Sequence, residues 1–384
     1  MHSLSETAID FHNKSIVIDL HAHPALKTFL FNKRFYKKHR TGGAWNPLAM
    51  RVDLPKISEG GLNAVFSSVY LIEKEMIYDC GILSFVVSLF GLFSKKFRNL
   101  KKGNSFSMTM EMIDNFEEAV EKAKAEGLKD FEVAGSVSDF NRIVSENKIA
   151  LIHSIEGAHS LDGKLENLQK FFDRGVCTIT LAHFYENEVT HTVGGIPKNN
   201  KFLGCFKKER EQTEGLTEFG KKVTEEMIRL GMLIDLTHCT PKSRSEIYDI
   251  NNNRKPLLFS HTGVHKMNSA SMNPTDDEIK IIADCGGVIG VIFMNFWLYH
   301  EEQKNGLDLI INTVKHLKNI GGIDCVAIGS DFDGFTDPPD DIKDMSEMPK
   351  LTEALMNAEF SNEEIEKILG KNVSRVINQG WGKA

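Results

Sequence analysis

A chain of 384 residues with 41% hydrophobic and 26% charged side chains has apolar surface enough for a sizeable core, which excludes a disordered chain. Its formal net charge of -7, with Lys and Arg spread among Asp and Glu, offers no basic stripe for a phosphate backbone and excludes nucleic acid as a partner. The cysteines, Cys80, Cys177, Cys205, Cys239, Cys285 and Cys325, lack short paired spacings and read as reduced, mostly buried thiols, not as a disulfide framework or a thiolate zinc knuckle.

The N-terminal MHSLSETAIDFHNKS lacks the basic start, apolar stretch and cleavage site of a secretory signal, so a cytoplasmic location is expected. The first β-rich run is 15–24 (SIVIDLHAHP) and the second 62–71 (LNAVFSSVYL). A long connection follows, at about residues 73–107. Within it GILSFVVSLFGLF, from Gly81 to Phe93, is almost wholly apolar and is succeeded by Lys95, Lys96 and Arg98. It is too short to cross a bilayer as a helix. It is expected to pack against the barrel mouth, a partner subunit in a homo-oligomer or a membrane surface, with core burial as the plain alternative.

Helical and strand patterns then alternate: helix 110–126, strand 148–156 (KIALIHSIE), helix 165–174, strand 177–184 (CTITLAHF), helix 216–230 and strand 233–238 (LIDLTH). Strand 256–261 (PLLFSH), helix 276–284, strand 287–295 (GVIGVIFMN), helix 307–319 and strand 326–331 (VAIGSD) complete eight strand runs, and helical patterns at 353–360 and 362–368 follow, the second opened by Ser361. Eight runs, most apolar on both faces, predict an α/β chain forming a single (β/α)8 TIM barrel over 1–384, with 73–107 as an insertion. No Gly-x-Gly-x-x-Gly or Walker-type loop supports a nucleotide-binding alternative.

In such a barrel the functional face is the one reached by the C-terminal strand ends. His21 and His23 end the first run, Glu156 the third, His183 the fourth, His238 the fifth, His261 the sixth and Asp331 the eighth. Strand alternation puts His21 and His23 on one face, opposite Ile18, Leu20 and Ala22, where the two imidazoles can chelate one ion. Histidines with a carboxylate suit zinc, and Glu156 is the candidate to bridge two ions about 3.5–4 Å apart, an arrangement for hydrolysis. A lone histidine at a strand end is more often structural; the convergence of six strand ends favours the metal reading. His153, of opposite parity to Glu156, is expected to face the helix layer. His159, Asn187 and His191 fall in loops of the functional face, where a substrate contact and a loop hydrogen bond are equally open.

These residues resemble the membrane (renal) dipeptidase family of metallopeptidases within the amidohydrolase superfamily, through VIDLHAHP, SIEGAHS, TLAHFYENE, GMLIDLTH, LLFSHTG and IGSDFDG in that order. The resemblance implies a zinc-dependent hydrolase of a small amide or dipeptide, acting through a bridging hydroxide. It implies His21 and His23 on one metal, His238 and His261 on the other, and Glu156 bridging both. It further implies His183 facing the substrate and stabilising the oxyanion, with Asp331 shuttling the proton; Asn187 and Met272 are the other candidate substrate-binding positions. Three departures stand out. His23 replaces a carboxylate of the family's first motif, 73–107 is longer and more apolar than its counterpart, and Met272 occupies the place of an arginine that grips the substrate's terminal carboxylate. N-acyl amino acids, cyclic amides or lactones remain alternative substrates, and a metal-binding protein without turnover is the alternative outside enzymes.

Overall fold

The computed structural model describes residues 4–42, 46, 48–194, 213–298 and 306–382. Among these residues nine strands form one parallel sheet: β1 Ile18–Ala22, β2 Ala64–Tyr70, β3 Phe131–Ala134, β4 Ile149–Glu156, β5 Val176–Thr180, β6 Leu233–Asp235, β7 Leu257–Thr262, β8 Val288–Val291 and β9 Val326–Ile328. Eight follow one another around the barrel. The other, β3, pairs with the first half of β4, at residues 149–152, while β5 pairs with its second half, at 153–156. The barrel is completed beyond the ladders, where His23 N donates to Phe332 O at 2.9 Å and Asp331 N donates to His21 O at 2.8 Å. The expected (β/α)8 architecture is thus present, with β3 as an unexpected ninth strand.

The register corrects the simple alternation expected in the first strand. Asp19 pairs with Val65 and Ala22 with Ser67, so Leu20 and His21 both stand against Phe66. This β-bulge re-aims the chain. Ile18 and Leu20 join the apolar cluster of Phe66, Ile152 and Leu258, whereas Ala22 packs with the other cluster. A second bulge sets Ser260 and His261 against Gly290, where only glycine fits, because a Cβ built there would lie 2.1 Å from Ser260 O. Two of the expected metal ligands therefore owe their direction to extra residues in their strands.

Below the bulges, Val373, Val376, Ile377 and Trp381, from the helix Asn372–Gly380 and the residue after it, join the cluster of Ile18, Leu20, Phe66 and Leu258. The second apolar cluster joins strand residues such as Val65, Leu151 and Phe259 to helix residues such as Phe116, Phe171 and Val223. His153 lies in the helix layer as expected, its Nε2 3.0 Å from Glu117 Oε1 on the helix Ser105–Ala125. Ser361 forms a capping box with Glu364, as its sequence signal implied.

Cys177, Cys239, Cys285 and Cys325 are free, whereas Cys80 is disulfide-bonded, which corrects the expectation of reduced thiols throughout; Cys205 lies outside the described residues. Disulfides persist in oxidising compartments, so the cytoplasmic expectation gains no support from the thiols. Among the described residues no helix is long and apolar enough to cross a membrane.

Candidate metal centre

The strand ends bring His21, His23, Glu156, His183, His238, His261 and Asp331 into one buried cluster, each between 1% and 7% exposed. Glu156 lies at its middle. Its Oε1 is 3.5 Å from His21 Nε2, 3.4 Å from His238 Nε2 and 3.5 Å from His261 Nε2. Its Oε2 is 3.5 Å from both His23 Nε2 and His183 Nε2. These separations are long for hydrogen bonds. They match the edges of a coordination polyhedron, since donors about 2.1 Å from a tetrahedral ion lie about 3.4 Å apart.

Other features of the donor set agree. His21 and His23 turn their Nε2 atoms to within 3.0 Å of each other, and among the described residues neither ring nitrogen of His238 has a hydrogen-bond partner. Burial, and then the neighbouring imidazoles, push His21 and His261 well below the ordinary histidine range; burial brings His238 down to about 4. Neutral imidazoles offer the lone pairs that a metal requires. Burial raises Glu156 to about 7 against the pull of His183 and His23, the condition of a carboxylate in a cluster that a cation would satisfy. The residues present therefore fit a pair of divalent ions, with groups His21–His23–Glu156 and Glu156–His238–His261 each able to converge on a point.

Strain and close approach mark the same rim. His238 and Asp331 adopt φ of 66° and 57°, a left-handed conformation uncommon for such residues and found preferentially at functional sites. The His238 carbonyl is held by Val193 N at 3.1 Å. Asp331 Oδ1 lies 3.1 Å from His23 Nε2. Burial alone would lower His23; the Asp331 contact and Glu156 raise it instead. Gly334 makes this approach feasible, because a Cβ there would fall 2.1 Å from Asp331 Oδ1 and 2.9 Å from His23 Cδ2.

Several supporting residues escaped the sequence reading. Glu73 accepts from His183 Nδ1 at 3.0 Å and from Tyr70 OH at 2.5 Å, fixing the imidazole with Nε2 toward Glu156. Burial would raise Glu73, but His183, His159 and the Tyr70 hydroxyl hold it down at about 2. Its signal was its place just beyond a strand end. Asp235 ends β6 and accepts from Thr180 and Ser260 hydroxyls, each at 2.5 Å; Ser260 Oγ in turn meets His261 Nδ1 at 2.8 Å. This relay orients His261. Trp297 closes the cluster on its apolar side, its ring stacked 6.0 Å from that of His261.

The expected substrate residues divide. His183 joins the cluster. Asn187 closes its own loop, donating to Leu181 O at 3.0 Å and accepting from Val189 N at 2.8 Å and Thr190 N at 3.1 Å. Met272 is 2% exposed within the apolar core, with its carbonyl accepting from Arg244. His159 donates to Leu71 O through Nε2, and His191 donates to Gly215 O through Nδ1, both loop contacts.

Residues 5–380 match the family described as membrane dipeptidase, peptidase family M19. Dipeptidase tcpJ of Claviceps purpurea is 27% identical over 332 residues, covering 86% of this chain and 70% of that protein. A metallopeptidase from Rhodobacter sphaeroides, solved with a phosphinate mimic of the dipeptide L-Ala-D-Ala, superposes with a TM-score of 0.77 at 21% identity, covering 96% of this chain and 100% of its own. The probable dipeptidase PvdM from Pseudomonas aeruginosa gives 0.73 at 20% identity, with 97% of each chain covered.

Proposed function

This chain belongs to the membrane dipeptidase family of metallopeptidases, and we propose that it is a two-zinc hydrolase, a single catalytic domain cleaving the amide bond of a dipeptide-sized substrate. The observation that carries the reading is Glu156, whose carboxylate lies within 3.5 Å of both imidazole pairs, His23 through Oε2 and His21, His238 and His261 through Oε1, with Asp331 beside His23. His21 and His23 would hold one ion, His238 and His261 the other, and Glu156 both. When bound, such a pair supplies hydroxide near neutral pH and polarises a carbonyl.

The protein's own groups account for the rest. Asp331, 7% exposed and beside His23, would take a proton at the site and return it to the leaving amine, a role that requires hydrogen-bond reach to both. His183, held through Nδ1 by Glu73, turns Nε2 into the cluster, where it would stabilise the carbonyl oxygen as charge develops. Burial of the cluster excludes bulk water and strengthens these interactions. The dipeptide mimic held by the Rhodobacter relative supports this substrate size.

Elemental analysis of gently purified protein should return about two zinc ions per chain. The zinc-loaded protein should hydrolyse L-Ala-D-Ala in a panel that also contains L,L-dipeptides, N-acyl amino acids, cyclic amides and lactones. Exclusive turnover of one of the other classes would replace the dipeptide reading while keeping the metal centre. No metal after zinc reconstitution would remove both.

A further inference from the structure

The connection after β2 carries an apolar surface that hydrolysis does not use. The helix Gly81–Gly91 buries only Val87 and Gly91. Phe85, Phe90, Leu92 and Phe93 are 67%, 52%, 68% and 87% exposed, with Ile82 and Leu89 exposed beside them. The short helix Lys95–Leu100 folds back on it, with the Phe90 and Phe97 rings 5.3 Å apart and Arg98 Nη1 donating to Gly91 O at 2.9 Å. Contiguous exposure of this kind marks an interaction surface.

Charge identifies the partner. From Cys80 to Met110 the sequence has no Asp or Glu, yet it contains Lys95, Lys96, Arg98, Lys101 and Lys102, in a chain whose net charge is -7. Lys96 donates to Phe29 O at 3.0 Å and Lys101 to Ser88 Oγ at 2.6 Å, so these cations are met by neutral oxygens. A second copy docking symmetrically would bring two such acid-free basic segments together, and like charges oppose that contact. An anionic lipid leaflet offers both an apolar interior and counter-charges.

We propose that this helical hairpin docks the protein reversibly on an anionic membrane surface. Phe85, Phe90, Leu92 and Phe93 enter the boundary between headgroups and acyl chains, while Lys95, Arg98 and Lys102 meet the lipid phosphates. The hairpin grows from the rim of the catalytic mouth: Glu73, just before it, holds His183, and Asp79 accepts from Tyr185 OH at 2.8 Å. Docking therefore brings the mouth beside the bilayer. The hairpin lies on the membrane; an eleven-residue helix is too short to span it.

Co-sedimentation of the full zinc-loaded chain with vesicles tests the proposal. Binding is expected to equimolar phosphatidylcholine and phosphatidylglycerol, to be weak to phosphatidylcholine alone, and to weaken as salt screens the lysines. Combined Phe85→Ser, Phe90→Ser and Phe93→Ser should reduce retention about tenfold, as should combined Lys95→Glu, Arg98→Glu and Lys102→Glu. Circular dichroism establishes that each variant is folded, and the salt titration requires no variant. The proposal is overturned by absence of binding to the mixed vesicles, by retention that neither set alters, or by a vesicle-free dimer that the Phe substitutions dissociate.

Discussion

The metal-centre rim and the apolar hairpin both grow from the ends of barrel strands, and they break the usual burial rule in opposite directions. At the rim, five histidines and two carboxylates are almost wholly buried. On the hairpin, large apolar side chains are left in solvent. Buried polar groups without sufficient protein partners call for an ion; exposed apolar groups call for a surface. The two regions are therefore legible as function for the same reason, and substitutions should separate them cleanly: changes at the rim act on metal and turnover, and changes on the hairpin act on location.

The largest effects are expected at the centre of the rim. Glu156→Gln should release metal, because a neutral amide would be a poor substitute for the proposed bridging carboxylate, and elemental analysis reads this directly. Asp331→Asn should keep the metals and lower kcat about a thousandfold, within the range for loss of a positioned acid–base group. Near wild-type turnover in the Asp331 variant would remove that residue from the mechanism. Gly334→Ala comes next. Its Cβ would overlap Asp331 Oδ1, and a displacement of about 1 Å is expected to cost about a hundredfold in kcat with the fold intact.

Glu73→Gln should have a smaller effect, about tenfold in kcat with little change in KM, because Gln still reaches His183 but without charge. Its pH signature is specific. A carboxyl held at about 2 in place of 4.5 contributes stability that is fully present above about pH 4.5 and is lost as the pH falls toward 2. On the order of 3 kcal/mol is at stake for a fully buried group. Thermal melts of the two proteins should therefore differ at pH 6 and converge in acid, and parallel curves down to about pH 2 would contradict an ionised Glu73.

Much of this architecture was readable in the sequence because the barrel repeats one pattern: apolar run, polar strand end, amphipathic helix. That pattern led to the eight main strands and to Glu156 with the six residues the fold gathers around it. It did not reveal β3, whose Phe131–Ala134 is too short to stand out, or the helix Asn372–Gly380 that joins the lower barrel cluster. Nor did it reveal the bulges at Leu20–His21 and Ser260–His261, because an extra residue in a ladder is visible only against its partner strand. Glu73 was passed over as the start of an insertion, since its link to His183 spans 110 positions. The disulfide at Cys80 was missed for the same reason: spacing along the chain says little about distant contacts.

The smallest effect concerns the substrate's terminal carboxylate. Met272 stands where the family resemblance places a gripping arginine, and the two arginines of the neighbouring segment are otherwise engaged among the described residues. Arg244 forms a fork with Glu278, at 2.6 Å through Nε and 3.2 Å through Nη2, and also donates to three backbone carbonyls. Arg254 pairs with Glu225 at 3.0 Å, and Lys266 is exposed to solvent. A dipeptide carboxylate would thus lack the charge-assisted partner whose loss costs about 2–5 kcal/mol. The expectation is that a dipeptide and its C-terminal amide differ by less than about threefold in kcat/KM, under about 0.7 kcal/mol. Introducing Met272→Arg should favour the free acid if the side chain reaches the substrate, although placing a guanidinium in a slot 2% exposed also carries a desolvation cost. A strong preference of the unmodified protein for the free acid would assign a cation to that end of the substrate, and would make the rim more like its relatives than Met272 suggests.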